Sequence, residues 1–333
     1  DLTMRCPEYL SYSSFALAEK NDEEFYLKYL CDKRPPRIPQ EHPASVGSAF
    51  DARTKAELHS ALFGAGSDPK YSYEALFESQ VEVQNRDFAR VAGQRVFEQY
   101  VYSGRYEALL ELLKKSIEPP RFEFDVRGTL LGVPFMGKPD CRFVLPGPVH
   151  VVHDWKVNGY CGKATTSPHK GYMLCMDGYA SDKQSKSNGA AHKQFVPMDF
   201  HGLTIDTGYM EDCSPEWADQ LSCYGWLLGE EIGDEKVVLS LDQVVASAQK
   251  VGPPVLRIAS FRARVRKSYQ QFLAKRLVTI WERIKSGHIF KDLSKEDNDA
   301  RITILEKQSV ALQSDGSVND EFFKEVVRPK YQG

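Results

Sequence analysis

The sequence predicts an α/β fold: a helical N-terminal region, a strand-rich middle and a C-terminal helical extension. Three observations predict it. Helical patterns dominate the chain up to about residue 118. Past Pro119 and Pro120 the period changes to that of short strands, with Gly128, Gly132 and Gly137 interrupting apolar runs. Leu273, Leu277, Ile280 and Ile284 then restore the 4-3-4 spacing of a helix packing face. The expected organisation is a mainly helical region over 1–118 that contributes to a cleft, a core over 119–290 and an extension over 291–333.

Each element has its own local reason. Residues 12–30 read as a helix opened by a serine cap, with Phe25, Tyr26, Tyr29 and Leu30 on an aromatic face. DKRPPRIPQEHP, residues 32–43, leaves the helix because proline lacks the N–H and clashes with the preceding turn. VGSAFDARTKAELHSALFG, residues 46–64, reads as a second helix. Gly47 there permits close approach of another backbone, and Asp51 one turn on either faces a cleft or simply favours the positive end of the helix. Further helical patterns cover 73–102 and 106–116.

RFEFDVRGTLLGVPFMGKPDCRFVL then has a hairpin rhythm, and VHVVHDWKV, residues 149–157, is the candidate central strand. Asp154 and Lys156, two residues apart, point to one face of it. The polar SDKQSKSNGAAHK, residues 181–193, reads as an exposed loop or hairpin tip, whose lysines either approach a partner or form a solvated connector. Ser214 and Pro215 open a helix in which Gln220 and Tyr224 share a side, backed by Trp217, Leu221 and Leu228. Residues 302–305 suggest a short strand and 320–327 a last helix.

Hydrophobic residues make up 42% of the chain and charged residues 27%, which is ordinary for a globular protein and leaves no membrane-length apolar run. The expected location is cytoplasmic, or the host-cell cytoplasm if the chain is phage-encoded. Seven scattered cysteines fit a reducing compartment better than a disulfide framework, and no histidine spacing supports zinc. A net charge of -3 excludes an evenly basic coat but not a local patch. RIASFRARVRKSYQQFLAKR, residues 257–276, holds seven basic residues and no acidic one. Arg257, Arg262, Arg264, Arg266 and Lys267 are the candidate phosphate-backbone contacts within it.

The chemistry concentrates around GKPD and HDWK. Asp140 at the end of one strand and Asp154 on its neighbour offer hard carboxylate oxygens to a divalent cation, and Lys156 stands beside them. Carboxylates directed inward from apolar strands are costly unless paired or coordinated. A lysine there can orient water and neutralise charge growing on a phosphodiester. Glu123 or Asp125 offers one more acidic contact from the preceding strand, and the pattern does not rank them.

VGSAFDARTKAEL, GKPD, HDWK and QLSCYGWLLGE together resemble the PD-(D/E)XK nuclease superfamily, especially the RecB-like and phage-type exonuclease branch related to Cas4 nucleases. The resemblance spans approximately residues 46–230. It implies a restriction-endonuclease-like mixed β-sheet flanked by helices, Mg2+ or Mn2+, and hydrolysis of DNA phosphodiester bonds. By it, Asp140 and Asp154 are metal ligands, Lys156 is the catalytic lysine, and Gln220 with Tyr224 form the downstream Q-x-x-x-Y motif. Asp51 stands where many RecB-like relatives carry a histidine, and as a carboxylate ligand it favours a harder ion. Some Cas4-like nucleases join early and late cysteines around an iron–sulfur cluster. Here Cys6 and Cys31 have no counterpart beyond Cys223, so no such cluster is expected.

The function this implies is a metal-dependent DNA exonuclease acting in recombination, repair or phage DNA processing. A structure-selective endonuclease and a catalytically silent nucleic-acid-binding assembly protein are the alternatives. DNA is the implied partner, with room for a helicase or recombination partner protein and for a homo-oligomer. No phosphate-binding loop for ATP is present, so unwinding would fall to a partner.

Overall fold

In the computed structural model the described residues are 7–30, 37–160, 167–168, 171–183, 198–205, 208–229 and 232–287. In chain order the helices are α1 (Tyr12–Lys20), α2 (Asp22–Phe25), α3 (His42–Phe63), α4 (Tyr73–Gln80), α5 (Arg86–Tyr102), α6 (Arg105–Lys114), α7 (Pro215–Leu228) and α8 (Lys267–Lys285). The strands are β1 (Arg121–Phe122), β2 (Val126–Leu130), β3 (Val133–Gly137), β4 (Cys141–Leu145), β5 (Val149–Asn158), β6 (Tyr172–Met176), β7 (Tyr179–Lys183), β8 (Met198–Phe200), β9 (Leu203–Ile205), β10 (Val237–Ser247) and β11 (Val255–Arg264). The chain divides into two units. One comprises residues 40–124 and 138–266, the other 1–39, 125–137 and 267–333.

The larger unit is a helix-flanked, seven-stranded mixed sheet in the order β1-β4-β5-β10-β11-β6-β7. β5 and β10 run parallel at its centre, and the other neighbours are antiparallel. β4 turns into β5 through Pro146, Gly147 and Pro148, and Gly147 has φ +140. β5 and β10 are buried almost throughout, as expected of strands covered on both faces. Phe50, Tyr100, Phe143, Val151 and Trp155 are among the side chains that close the core between α3, α5 and the sheet. Burying each large side chain contributes roughly 1.5–3 kcal/mol.

Two glycines set how closely the helices approach. A Cβ at Gly93 would lie 2.5 Å from the Ala49 Cβ, so the α3–α5 crossing has no room for a larger residue. Gly159 plays the same part at the end of β5, where a Cβ would lie 2.6 Å from the Val46 Cβ. Gly47 faces the Val157 carbonyl at an ordinary 3.5 Å for such a Cβ. It is Gly93 and Gly159 that seat α3 against the sheet.

The predicted helix over 12–30 is interrupted: α1 and α2 are followed by a π-helical turn over Tyr26–Leu30. Asn21 causes the break, because its side chain accepts from the Glu24 N–H and caps α2. Similarly, the pattern over 73–102 resolves into α4 and α5 with a 3-10 turn over Val83–Asn85 between them. α7 begins as its sequence dictates: Ser214 Oγ accepts from the Trp217 N–H at 3.3 Å, with Pro215 in the first turn.

In the smaller unit, Leu10 pairs with Phe135 beside the β2–β3 hairpin, and α8 carries Glu19 and Asp22 contacts through Arg276 and Arg283. Leu273, Leu277, Ile280 and Ile284 are all buried. Residues 302–305, 320–327 and most of 181–193 lie outside the described residues, as do Cys6 and Cys31. No helix among the described residues is long and apolar enough to cross a membrane.

Candidate active site

Strand alternation puts Asp154 and Lys156 on one face of β5, and Lys156 Nζ lies 3.2 Å from Asp154 Oδ2. The same ammonium donates to Gln220 Oε1 at 2.5 Å, and Gln220 Nε2 donates to the Tyr224 hydroxyl at 3.2 Å. One turn of α7 separates those two residues, so the helix delivers both to the edge of β5. Asp140 sits just before β4. Its backbone N–H donates to Asp154 Oδ1 at 3.2 Å, and its Oδ2 accepts from the Trp155 N–H at 3.1 Å.

Beyond Asp140 the sheet edge meets α3. Asp51, Glu123 and Asp140 bring carboxylate oxygens within 4.8 Å of one another, the only such group of three among the described residues. Glu123 holds a left-handed backbone, φ 47, uncommon for a residue with a Cβ, and its N–H donates to the Asp140 carbonyl at 3.2 Å. That geometry turns Glu123 into the cluster, while Asp125 is exposed.

Lys55 occupies the middle. Its side chain is 0% exposed, and Nζ lies 2.6 Å from Asp51 Oδ2 and 2.9 Å from Asp140 Oδ1. Glu123 Oε1 is its third partner, and Lys138 Nζ approaches Glu123 Oε2 at 3.2 Å from the exposed side. Sequence reasoning leaves Lys55 out, although its i+4 spacing from Asp51 was the available signal.

The electrostatics follow from burial and crowding. Burial raises the Asp51 carboxyl to about 7; Asp140 and Glu123 push the same way and Lys55 opposes them. For Asp140 burial also pushes upward, but Lys55, Lys156 and the Trp155 N–H outweigh it and hold it below its usual value. Asp154 is raised by burial and by its neighbour Asp140. Burial opposes charge on Lys55, yet three carboxylates hold it well above the ordinary lysine range.

The three carboxylates are hard oxygen donors at a spacing that suits a divalent cation, and the Lys55 ammonium stands among them. The charge fits as well: with Asp51, Glu123, Asp140 and Asp154 all ionised, Lys55 and Lys156 leave two negative charges. Asp154 faces Lys156 rather than joining the group of three.

Behind the site a buried polar network braces β5. Tyr100 and Ser260 donate to the two oxygens of Asp242 at 2.6 and 2.7 Å, and the Trp155 indole donates to Tyr100 at 3.4 Å. His153 Nδ1 pairs with Ser240 Oγ at 2.8 Å, and burial lowers its pKa.

The basic residues of β11 divide between faces. Asp154 registers with Leu241, and Leu241 with Phe261, so Arg262 and Arg264 lie on the opposite sheet face while Arg257 shares that of Asp154. Arg257 is held by Ser167 and Ser247, Arg264 stacks over Phe200, and Arg266 pairs with Glu211. Lys267 opens α8 in the smaller unit.

No protein-family profile matches the chain, and no curated protein matches it. Among solved structures, the chain is similar to a Eubacterium rectale protein provisionally named an exonuclease: 15% identity, 88% of each chain covered, TM-score 0.42. The mixed sheet flanked by helices and its acidic triad are consistent with the broader PD-(D/E)XK-like nucleases.

Proposed function

We propose that the chain is a divalent-metal-dependent DNA nuclease of the PD-(D/E)XK type, acting as an exonuclease of the RecB-like branch in recombination, repair or phage DNA processing. The observation that carries this reading is the convergence of Asp51, Glu123 and Asp140 within 4.8 Å, with Asp154 joined to Asp140 through the Asp140 N–H and Lys156 paired in turn with Asp154.

Asp140 and Asp154 would hold Mg2+ or Mn2+, with Asp51 and Glu123 completing the acidic wall. The metal, when bound, polarises a phosphoryl oxygen and stabilises the leaving group. The chain's own part is positional. Lys156, braced by Asp154 and Gln220, directs the rest of its donor capacity at water and at charge developing on the phosphodiester. Tyr224 holds Gln220 in turn. Burial of Asp154 and of Trp155 beneath it dries the base of the site, which strengthens every electrostatic contact there. Arg257, on the face of Lys156, is the arginine of the basic run best set to meet the strand being cut, with Arg262, Arg264, Arg266 and Lys267 as further candidate contacts to the phosphate backbone.

The test compares linear with covalently closed DNA, single-stranded and duplex, under Mg2+, Mn2+ or EDTA, with Asp154→Ala and Lys156→Ala alongside. Loss confined to open ends, abolished by EDTA and by both substitutions, supports the exonuclease. Cutting of closed circles replaces it with an endonuclease, and binding without any cleavage replaces it with a silent DNA-binding protein.

A further inference from the structure

We propose that the Lys55 ammonium is a built-in cation of the site, filling the place between Asp51, Glu123 and Asp140 so that the cluster takes one divalent ion and not two. This rests on the metal-dependent reading above and adds a residue outside the motifs that suggested it.

A lysine ammonium has three N–H donors, and Lys55 has three carboxylate partners, one each from α3, the segment after β1 and the approach to β4. With every donor used and the side chain wholly buried, Lys55 has none left for water or a phosphate. Its contribution is therefore charge. It also lies 6.0 Å from the centre of the Trp155 ring, within reach of the attraction between a cation and an aromatic face.

The charge balance decides the number of ions. With all four carboxylates ionised, as metal binding requires, Lys55 and Lys156 leave two negative charges, which one divalent ion neutralises and a second would reverse. Lys138 does not alter this conclusion, because its side chain is 56% exposed and its charge is screened by solvent. Uncompensated, three carboxylates from distant segments would repel one another in a site of low dielectric, and the tethered ammonium offsets that repulsion.

The experiment counts Mn2+ bound to the full chain by calorimetry and by electron paramagnetic resonance, for the wild type and for Lys55→Met, and melts both in EDTA and in Mn2+. The wild type is expected to bind one Mn2+. Lys55→Met is expected to bind two, to melt roughly 5–10 °C lower in EDTA, and to regain most of that loss in Mn2+. Two Mn2+ in the wild type, or one in Lys55→Met, overturns the inference while leaving a metal-dependent nuclease intact. A Lys55→Met chain whose melting temperature Mn2+ does not raise also overturns it, since the vacated place then takes no ion. No Mn2+ bound to the wild type removes the metal-dependent reading itself, and this inference with it.

Discussion

Asp140 and Asp154 are joined by a backbone clasp: the Asp140 N–H donates to Asp154 Oδ1 at 3.2 Å, while Asp140 Oδ2 accepts from the N–H of Trp155, the residue after Asp154, at 3.1 Å. The two carboxylates are thus oriented by each other's chain, and their roles separate. Asp154→Asn keeps the accepting oxygen and removes only the charge, so stability should change by less than about 1 kcal/mol while cleavage falls at least roughly 100-fold. Asp140→Ala takes a partner from buried Lys55 and should cost about 3 kcal/mol as well as activity. Denaturant melts set beside cleavage rates check both; equal stability losses in the two variants would contradict the assignment.

Gln220 accepts from Lys156 and is held by Tyr224, a geometry that acts on the lysine. Gln220→Met should lower kcat roughly tenfold with KM nearly unchanged, and Tyr224→Phe should do less. A rise in KM with kcat preserved would instead place Gln220 on the DNA strand.

Asp51 gives the site a pH dependence. Its carboxyl is raised to about 7 when folded, chiefly by burial, against an ordinary 3.8. Between these values the folded state holds the extra proton, so without metal this group's contribution to stability falls as pH rises from about 4 to about 7 and is constant above. A metal needs the ionised carboxylate, so Mn2+ affinity should run the other way, weakening by roughly tenfold per pH unit below about 7. Titrating Mn2+ binding from pH 5.5 to 8 checks the slope, and Asp51→Asn should flatten it.

The α3–α5 crossing controls where Asp51 and Lys55 sit. Gly93→Ala would press a methyl to 2.5 Å from Ala49 and must displace α3, the helix carrying both residues. A loss of about 1–3 kcal/mol is expected, with a fall in cleavage larger than the lost folded population explains. Gly64→Ala, at the far end of α3 in open space but at φ +96, gives a comparison: strain in stability with little effect on rate.

Much of the arrangement was legible from local pattern. Alternation alone puts Asp154 and Lys156 on one strand face, helical spacing puts Gln220 one turn from Tyr224, and Ser214 with Pro215 marks where that helix starts. Local pattern failed where two elements compete for one stretch, as at Asn21, whose side-chain cap splits a continuous helical period. It also did not tell which of Arg257, Arg262 and Arg264 shares a sheet face with Asp154, because alternation has no meaning until β11 is registered through β10 against β5.

The sequence by itself determined the α/β class, the strand that carries Asp154 and Lys156, and the helix that braces Lys156, because each rests on backbone periods of two or 3.6 residues within one element. Only the tertiary structure decided that Glu123 and not Asp125 turns into the cluster, and that Lys55 lies at its centre. Those contacts join residues 68 and 85 positions apart. Their partners are chosen by how α3 packs against the sheet and by how the chain crosses from β1 toward β4, and neither choice leaves a trace in the local spacing of charges.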